Sequence, residues 1–127
     1  RELTSALEAI KNSFNSYTLN SISQAAATAA ALDKEYFKKC TNEIIANREY
    51  TVASLKELGF KTLPSLSNFI FTTHPGYQGE DIFNYLKSKN IFVRYFNKPR
   101  IDQYLRITIG SREEMIALIE ALKEYIK

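Results

Sequence analysis

Arg94 and Arg106 are the residues of this 127-residue chain whose type and setting could do chemistry. Each interrupts an apolar, β-branched run, Ile91–Phe92–Val93–Arg94 and Tyr104–Leu105–Arg106–Ile107–Thr108–Ile109–Gly110. A guanidinium carried inward on such a strand has five donors and no water to satisfy them, so an anion normally waits for it. The matching anion is a carboxylate, which the planar fork grips through two parallel hydrogen bonds that fix orientation as well as charge. On a half-exposed strand the same arginine is a solvated or surface-paired side chain, and spacing alone does not choose between these. If the two strands pair antiparallel with 94 opposite 106, both guanidiniums leave one face and form an anion trap; an odd register separates them.

Other chemistry is scarce. His74 is the only histidine and Cys40 the only cysteine, far apart in sequence, so nothing supports a nucleophile with a base beside it. His74 stands next to Pro75–Gly76, where a solvated ring is the expectation. No glycine-rich phosphate loop and no Cys/His cluster for a metal occurs. Asn68 and Asn20 sit at the edges of apolar segments and are candidate site residues, although Asn20 is more simply a turn or cap residue.

Length and composition bound the rest. The chain fits one domain with a small core, and 45% hydrophobic with 24% charged residues is ordinary for a globular protein. The net charge of +3 is scattered rather than gathered in a stripe, so neither a nucleic-acid nor a membrane partner is expected. No run approaches the length of a bilayer span and no secretory signal is present. One unpaired cysteine suits a reducing cytoplasm. Met115 is the only methionine, so Arg1 is not an initiator and the chain is expected to have been cut from a longer polypeptide.

These residues need elements to position them. Leu3, Leu7 and Ile10 predict a helix over 2–12. Residues 13–20 break the period, and Ser21–Ile22–Ser23–Gln24 reads as a capping box opening a second helix rich in alanine from Ala25 to Ala31. Asp33 opens a third helix that Gly59 ends, with Tyr36, Phe37, Cys40, Ile44, Ile45, Val52, Leu55 and Leu58 as its apolar stripe. Strands are predicted at 60–63, 68–73, 91–96 and 103–109. Helices are predicted at 79–89, with Ile82, Phe83, Tyr85 and Leu86 inward, and from Ser111 to about residue 126, with Met115, Leu118, Ile119 and Leu122 on one face. The order ααα followed by ββαββα builds an α+β fold, a two-layer α/β sandwich with a small, mostly antiparallel sheet and helices on one side.

In their order, Tyr17–Thr18–Leu19–Asn20 leading to Gln24–Ala25–Ala26, Asn47–Arg48–Glu49, Leu58–Gly59–Phe60, Leu63–Pro64–Ser65–Leu66–Ser67–Asn68–Phe69, Val93–Arg94 and Leu105–Arg106–Ile107–Thr108–Ile109–Gly110 resemble the C-terminal part of pyridoxal-phosphate aminotransferases of fold type I. Within that superfamily the set is most similar to the histidinol-phosphate aminotransferases. The resemblance implies that residues 1–127 are a small domain that closes over a cofactor held by a large domain absent from this chain. It implies that Arg106 clamps a substrate α-carboxylate and that Arg94 takes a substrate phosphate, with Tyr17, Asn20 and Asn68 near the domain interface. It implies a homodimer when full length, and amino-group exchange between histidinol phosphate and 2-oxoglutarate in histidine biosynthesis. The family's Ser-x-Ser-Lys type segment, which carries the Schiff-base lysine, is missing. No residue here is therefore expected to be catalytic, no pyridoxal phosphate is expected to be bound by this chain alone, and the chain by itself is expected to be inactive. Sister enzymes of the superfamily, an aromatic aminotransferase or a threonine-phosphate decarboxylase, share the Arg106 motif. From another class, a module stacking the aromatic strands on single-stranded RNA fits the sheet aromatics but lacks the glycine-aromatic strand signature.

Overall fold

The computed structural model describes residues 2–14 and 19–126, which form two compact units, residues 1–38 and residues 39–127. Tyr17, with the rest of residues 15–18 in the 13–20 segment, lies outside the described residues.

The first unit is helical. Helix α1 (Glu2–Phe14) carries Leu3, Leu7 and Ile10 at helical spacing, all exposed. Helix α2 (Ser21–Leu32) buries none of its residues. Its N-cap corrects the expected capping box: Asn20, not Ser21, is the cap, its Oδ1 accepting from the Ser23 amide at 2.8 Å. Gln24 turns its side-chain amide to the Leu19 carbonyl instead of completing a box. An asparagine one residue upstream holds the orphan amide equally well, and sequence pattern does not rank the two.

Helix α3 (Lys34–Glu57) starts where the Asp33 carboxylate accepts from the Tyr36 amide. It ends at Gly59, whose φ of 85° is the left-handed conformation glycine supplies at no steric cost. Gly59 N–H donates to Lys56 and Phe60 N–H to Leu55, the double closure of a Schellman turn. The buried face of α3 differs from the expected stripe. Asn47, Thr51 and Leu55 are buried, with Ile44, Val52 and Leu58 partly so, whereas Tyr36, Phe37 and Ile45 are exposed.

The second unit holds a four-stranded sheet in the order β1 (Lys61–Thr62), β2 (Phe69–Thr73), β4 (Leu105–Thr108), β3 (Arg94–Tyr95), antiparallel throughout. Between them run α4 (Gly79–Ser88) after β2 and α5 (Arg112–Tyr125) after β4. This is the expected two-layer α+β order. Ile70, Thr72, Leu105 and Ile107 bury one sheet face against Leu55 of α3, Ile82 and Leu86 of α4, and Met115, Leu118, Ile119 and Leu122 of α5. Phe83 and Tyr85 are only partly buried at the edge of that core.

The strand expected over 91–96 shrinks to two residues. Asn90 takes a φ of 60° and Ile91 N–H donates to Leu86, so residues 90–91 are used to terminate α4 before pairing begins. Helix α5 has a complete capping box: Ser111 Oγ accepts from the Glu114 amide while Glu114 Oε2 accepts from the Ser111 amide. A Cβ on Gly110 would meet that Glu114 carboxylate, which would have to shift from its place in the capping box.

Candidate functional site: an arginine and aromatic sheet face

The antiparallel register puts Arg94 opposite Arg106, and Arg106 opposite Phe71, so one row crosses three strands with Arg94, Arg106 and Phe71 on a single face. It is the face turned away from the helices, because the adjacent row, Tyr95, Leu105, Thr72 and Thr62, is the one packed inward. Both guanidiniums are exposed, the solvated alternative of the two that spacing left open: β4 alternates buried Leu105 and Ile107 with exposed Arg106 and Thr108. The two arginines do converge, on an open face.

Aromatic rings set their surroundings. The Arg94 guanidinium lies 5.4 Å from the Phe96 ring, and the Arg106 guanidinium 5.4 Å from Phe69 and 5.9 Å from Phe96. Phe71 stacks on Tyr104 with centroids 4.7 Å apart and meets Phe96 edge-on at 6.4 Å. Among the described residues neither arginine has a carboxylate partner; the ion pair present is Lys89 with Glu124. Two like charges facing each other across a ladder repel, and ring faces offset part of that cost without neutralising it. The face can therefore take an anion of one or two charges. Sequence reasoning singled out the arginines but not Phe69, Phe71, Phe96 and Tyr104 as their companions, a grouping that follows only from register.

Three contacts from α3 fix the ends of the strands that carry this face. Buried Asn47 donates from Nδ2 to the Gly110 carbonyl at 3.0 Å, and Arg48 donates from Nη1 to the Ser67 carbonyl at 2.9 Å. The Arg112 guanidinium lies over the Tyr50 ring at 3.4 Å. Ile109 N–H then donates to the Asn68 carbonyl, tying the start of β2 to the end of β4. An amide and a guanidinium interrupting an apolar helical stripe are the sequence signal that could have marked Asn47 and Arg48 as ties.

Asn68 is exposed, its Oδ1 accepting from Ser67 Oγ. Asn20 belongs to the first unit as the α2 cap, so its side chain is spent locally. His74 is not the solvated ring expected of a Pro–Gly turn. It is half-buried, Nδ1 accepts from the Gly76 amide and Nε2 meets the Leu58 carbonyl at 3.0 Å, and Phe60 and Tyr77 pack edge-on against the ring. An amide can only donate, so Nε2 carries the proton and His74 is a structural tie between β2 and the end of α3.

Tyr95, on the inward row, has its phenol pushed above its ordinary range by burial, then by Glu80 and Asp102, and it stacks on Phe83. It adds no charge to the arginine face. Among the described residues no group of His, Cys, Asp or Glu could hold a metal ion, and no helix is long and apolar enough to cross a membrane. Two grooves open elsewhere, one of about 520 Å³ beside Phe92, Ile107 and Met115 and one of about 580 Å³ between α3 and Thr62–Leu66. Neither includes Arg94 or Arg106, both of which are exposed.

This α+β unit, with an arginine row on the uncovered side of its sheet, belongs to a known class: residues 1–122 match the family described as aminotransferase class I and II, and the chain is a member of it. Among relatives, it is 54% identical over 126 residues to a histidinol-phosphate aminotransferase of Clostridium botulinum (strain Okra / Type B1), covering 99% of this chain and 36% of the relative. The chain thus spans about a third of that relative's length. Among solved structures, histidinol-phosphate aminotransferase from Sinorhizobium meliloti in complex with pyridoxal-5'-phosphate superposes with a TM-score of 0.78 at 30% identity, over 95% of this chain and 33% of that one. A decarboxylase from Sulfurospirillum multivorans, at TM-score 0.74 and 21% identity over 100% of this chain and 37% of that one, shares the fold alone. The fold accordingly does not choose between transamination and decarboxylation.

The family implies pyridoxal phosphate, and the residues present can be tested against it. Every described lysine is exposed, and neither of the two grooves includes an arginine of the row. Among the described residues no buried lysine is offered to that cofactor.

Proposed function

We propose that residues 1–127 are the C-terminal small domain of a histidinol-phosphate aminotransferase, which moves an amino group between histidinol phosphate and 2-oxoglutarate, with pyridoxal phosphate held by a large domain of the same polypeptide outside this chain. The observation that carries the reading is the cross-strand pair Arg94 and Arg106, exposed on the uncovered face and without a carboxylate partner among the described residues. The 54% identity to a named histidinol-phosphate aminotransferase supports the choice of substrate. Chemistry supports it too. Histidinol phosphate carries its negative charge on a phosphate and glutamate carries two carboxylates, so one site must accept both kinds of anion in turn. Two guanidiniums side by side suit a phosphate dianion, and one fork suits a carboxylate.

In this reading Arg106 grips the α-carboxylate and Arg94 adds the second contact that a phosphate needs. Asn68, Tyr17 and Asn20 would lie toward the large domain. Holding the anion fixes the substrate's orientation, and covering the open face would exclude water and strengthen both ion pairs. The full-length enzyme is expected to work as a homodimer in the cytoplasm, and this chain alone is expected not to transaminate.

The test is made on the enzyme containing this chain. Arg106→Ala should lower kcat/KM for every amino-acid substrate by about 3–5 kcal/mol, because a desolvated carboxylate loses its partner. Arg94→Ala should cost much with phosphorylated substrates and little with their unphosphorylated analogues. Equal losses on both substrate types would refute the phosphate role, and wild-type enzyme that leaves histidinol phosphate unchanged would refute the reading as a whole.

A further inference from the structure

Arg94 and Arg106 face each other directly across the β3–β4 ladder, where like charges destabilise the pairing and long side chains are free to splay into solvent. A phosphate that needs both forks at once would then have to gather them at an entropic cost. One side chain counters this. The Phe96 ring lies 5.4 Å from the Arg94 guanidinium and 5.9 Å from that of Arg106, so a single aromatic group is shared by both cations. The ring is itself braced, because Phe71 meets it edge-on at 6.4 Å and is stacked in turn on Tyr104. Its own backbone carbonyl accepts from the Lys98 amide at 2.8 Å, which anchors it at the start of the β3–β4 turn.

The two arginines are not equally served. Arg106 has a second ring, Phe69, at 5.4 Å, whereas among the described residues Arg94 has ring contact with Phe96 alone. Removing the Phe96 ring would therefore release Arg94 and leave Arg106 still held.

We propose that Phe96 is a positioning residue for anion recognition, holding the two guanidiniums together so that a dianionic phosphate is favoured over a carboxylate. The inference rests on the assignment of Arg94 and Arg106 to anion binding made above. It goes further by placing the phosphate preference in an uncharged residue that needs no contact with the ligand.

The test follows the side-chain Nε–H signals of Arg94 and Arg106 by NMR in this chain, at low salt and at a pH where phosphate is dianionic, during titration with inorganic phosphate and separately with acetate. In the unaltered chain phosphate should move both signals with one dissociation constant, and acetate should move that of Arg106. Phe96→Leu keeps bulk and removes the ring face. It should weaken phosphate about tenfold and acetate no more than about threefold, as expected for losing two exposed cation–π contacts against one. Phe96→Tyr restores the ring face and should restore phosphate binding. Phe69→Leu, which touches Arg106 alone, should weaken both anions by a similar factor, and unchanged backbone amide spectra in each variant report that the sheet still folds.

Equal weakening of the two anions in Phe96→Leu, a Tyr variant as poor as the Leu variant, loss of the folded amide pattern in both, or no phosphate binding by the unaltered chain would each overturn the proposal. Failure of the enzymatic reading looks different: these titrations would behave as stated while the complete enzyme left histidinol phosphate unchanged.

Discussion

The two faces of one sheet are made by alternate residues of the same strands, yet they serve opposite ends. On the helix side Ile70, Thr72, Leu105 and Ile107 are closed from solvent by α3, α4 and α5. On the other side Phe69, Arg106, Arg94 and Thr108 stand exposed, and the charge placed there has no partner of opposite sign among the described residues. Because side chains alternate at every residue, a chain can invest one parity in cohesion and the other in binding without lengthening its strands. The contrast teaches that stability and recognition are separable here by parity: the inward row should govern folding and the outward row should leave it nearly untouched.

The sharpest way to break that separation is Leu105→Ala. Leu105 is 1% exposed in the centre of the core, and its truncation should destabilise this chain by about 2–5 kcal/mol in urea unfolding at constant m. A loss below about 1 kcal/mol would mean that the helix side is loosely packed and the contrast false. Next in size is Asn47→Ala. It leaves the Gly110 carbonyl without its amide donor in a part-buried place and should cost about 1–3 kcal/mol, and in the complete enzyme it should also disturb Arg106 through the shifted end of β4.

Ser111→Ala removes the hydroxyl side of the α5 capping box and should cost about 1 kcal/mol. It should also flatten the acid limb of stability. Glu113 is held below its ordinary value of 4.5, first by its own backbone amide and then by the Ser111 hydroxyl. A carboxylate with a lowered folded-state value contributes stability above the unfolded value and loses it as pH falls through the folded one. The variant should therefore lose less stability than the unaltered chain on acidification below about 4.5.

The smallest effect is expected where the functional consequence is largest. Arg106→Ala and Arg94→Ala should each change the stability of this chain by no more than about 0.5 kcal/mol, since lost ring contacts are offset by relief of cross-strand repulsion. If either cost as much as Leu105→Ala, the outward face would be part of the fold's cohesion and the division by parity would fail.

Much of this arrangement was readable from residue order. Period-2 alternation around Leu105–Arg106–Ile107–Thr108 and helical spacing in Met115, Leu118, Ile119 and Leu122 are local signals, and they set element type and which residues share a face. Gly59 as a stop and Ser111 with Glu114 as a start are equally local, because capping is a matter of three or four neighbouring residues. The α+β order and the choice of Arg94 and Arg106 as candidates came from the same source.

What the order of residues left open is whatever depends on partners distant in the chain. Alternation says that Arg106 and Leu105 face opposite ways, but only the three helices covering one side decide that Arg106 is the exposed one. Register puts Arg94 against Arg106 and thereby collects Phe69, Phe71 and Phe96 around them, a pairing set by ladder hydrogen bonds between separate segments. Likewise α3 buries Asn47 and Thr51, where the Gly110 carbonyl satisfies the Asn47 amide and the Asn47 carbonyl takes the Thr51 hydroxyl. His74 became a half-buried tie rather than a solvated ring for the same reason: the Leu58 carbonyl and Gly76 amide that hold it are brought there by the turn at Gly59 and the path of β2. Local sequence determined the elements and their faces; tertiary contacts decided which face was covered and which side chains met, since burial and hydrogen-bond satisfaction are properties of the assembled fold.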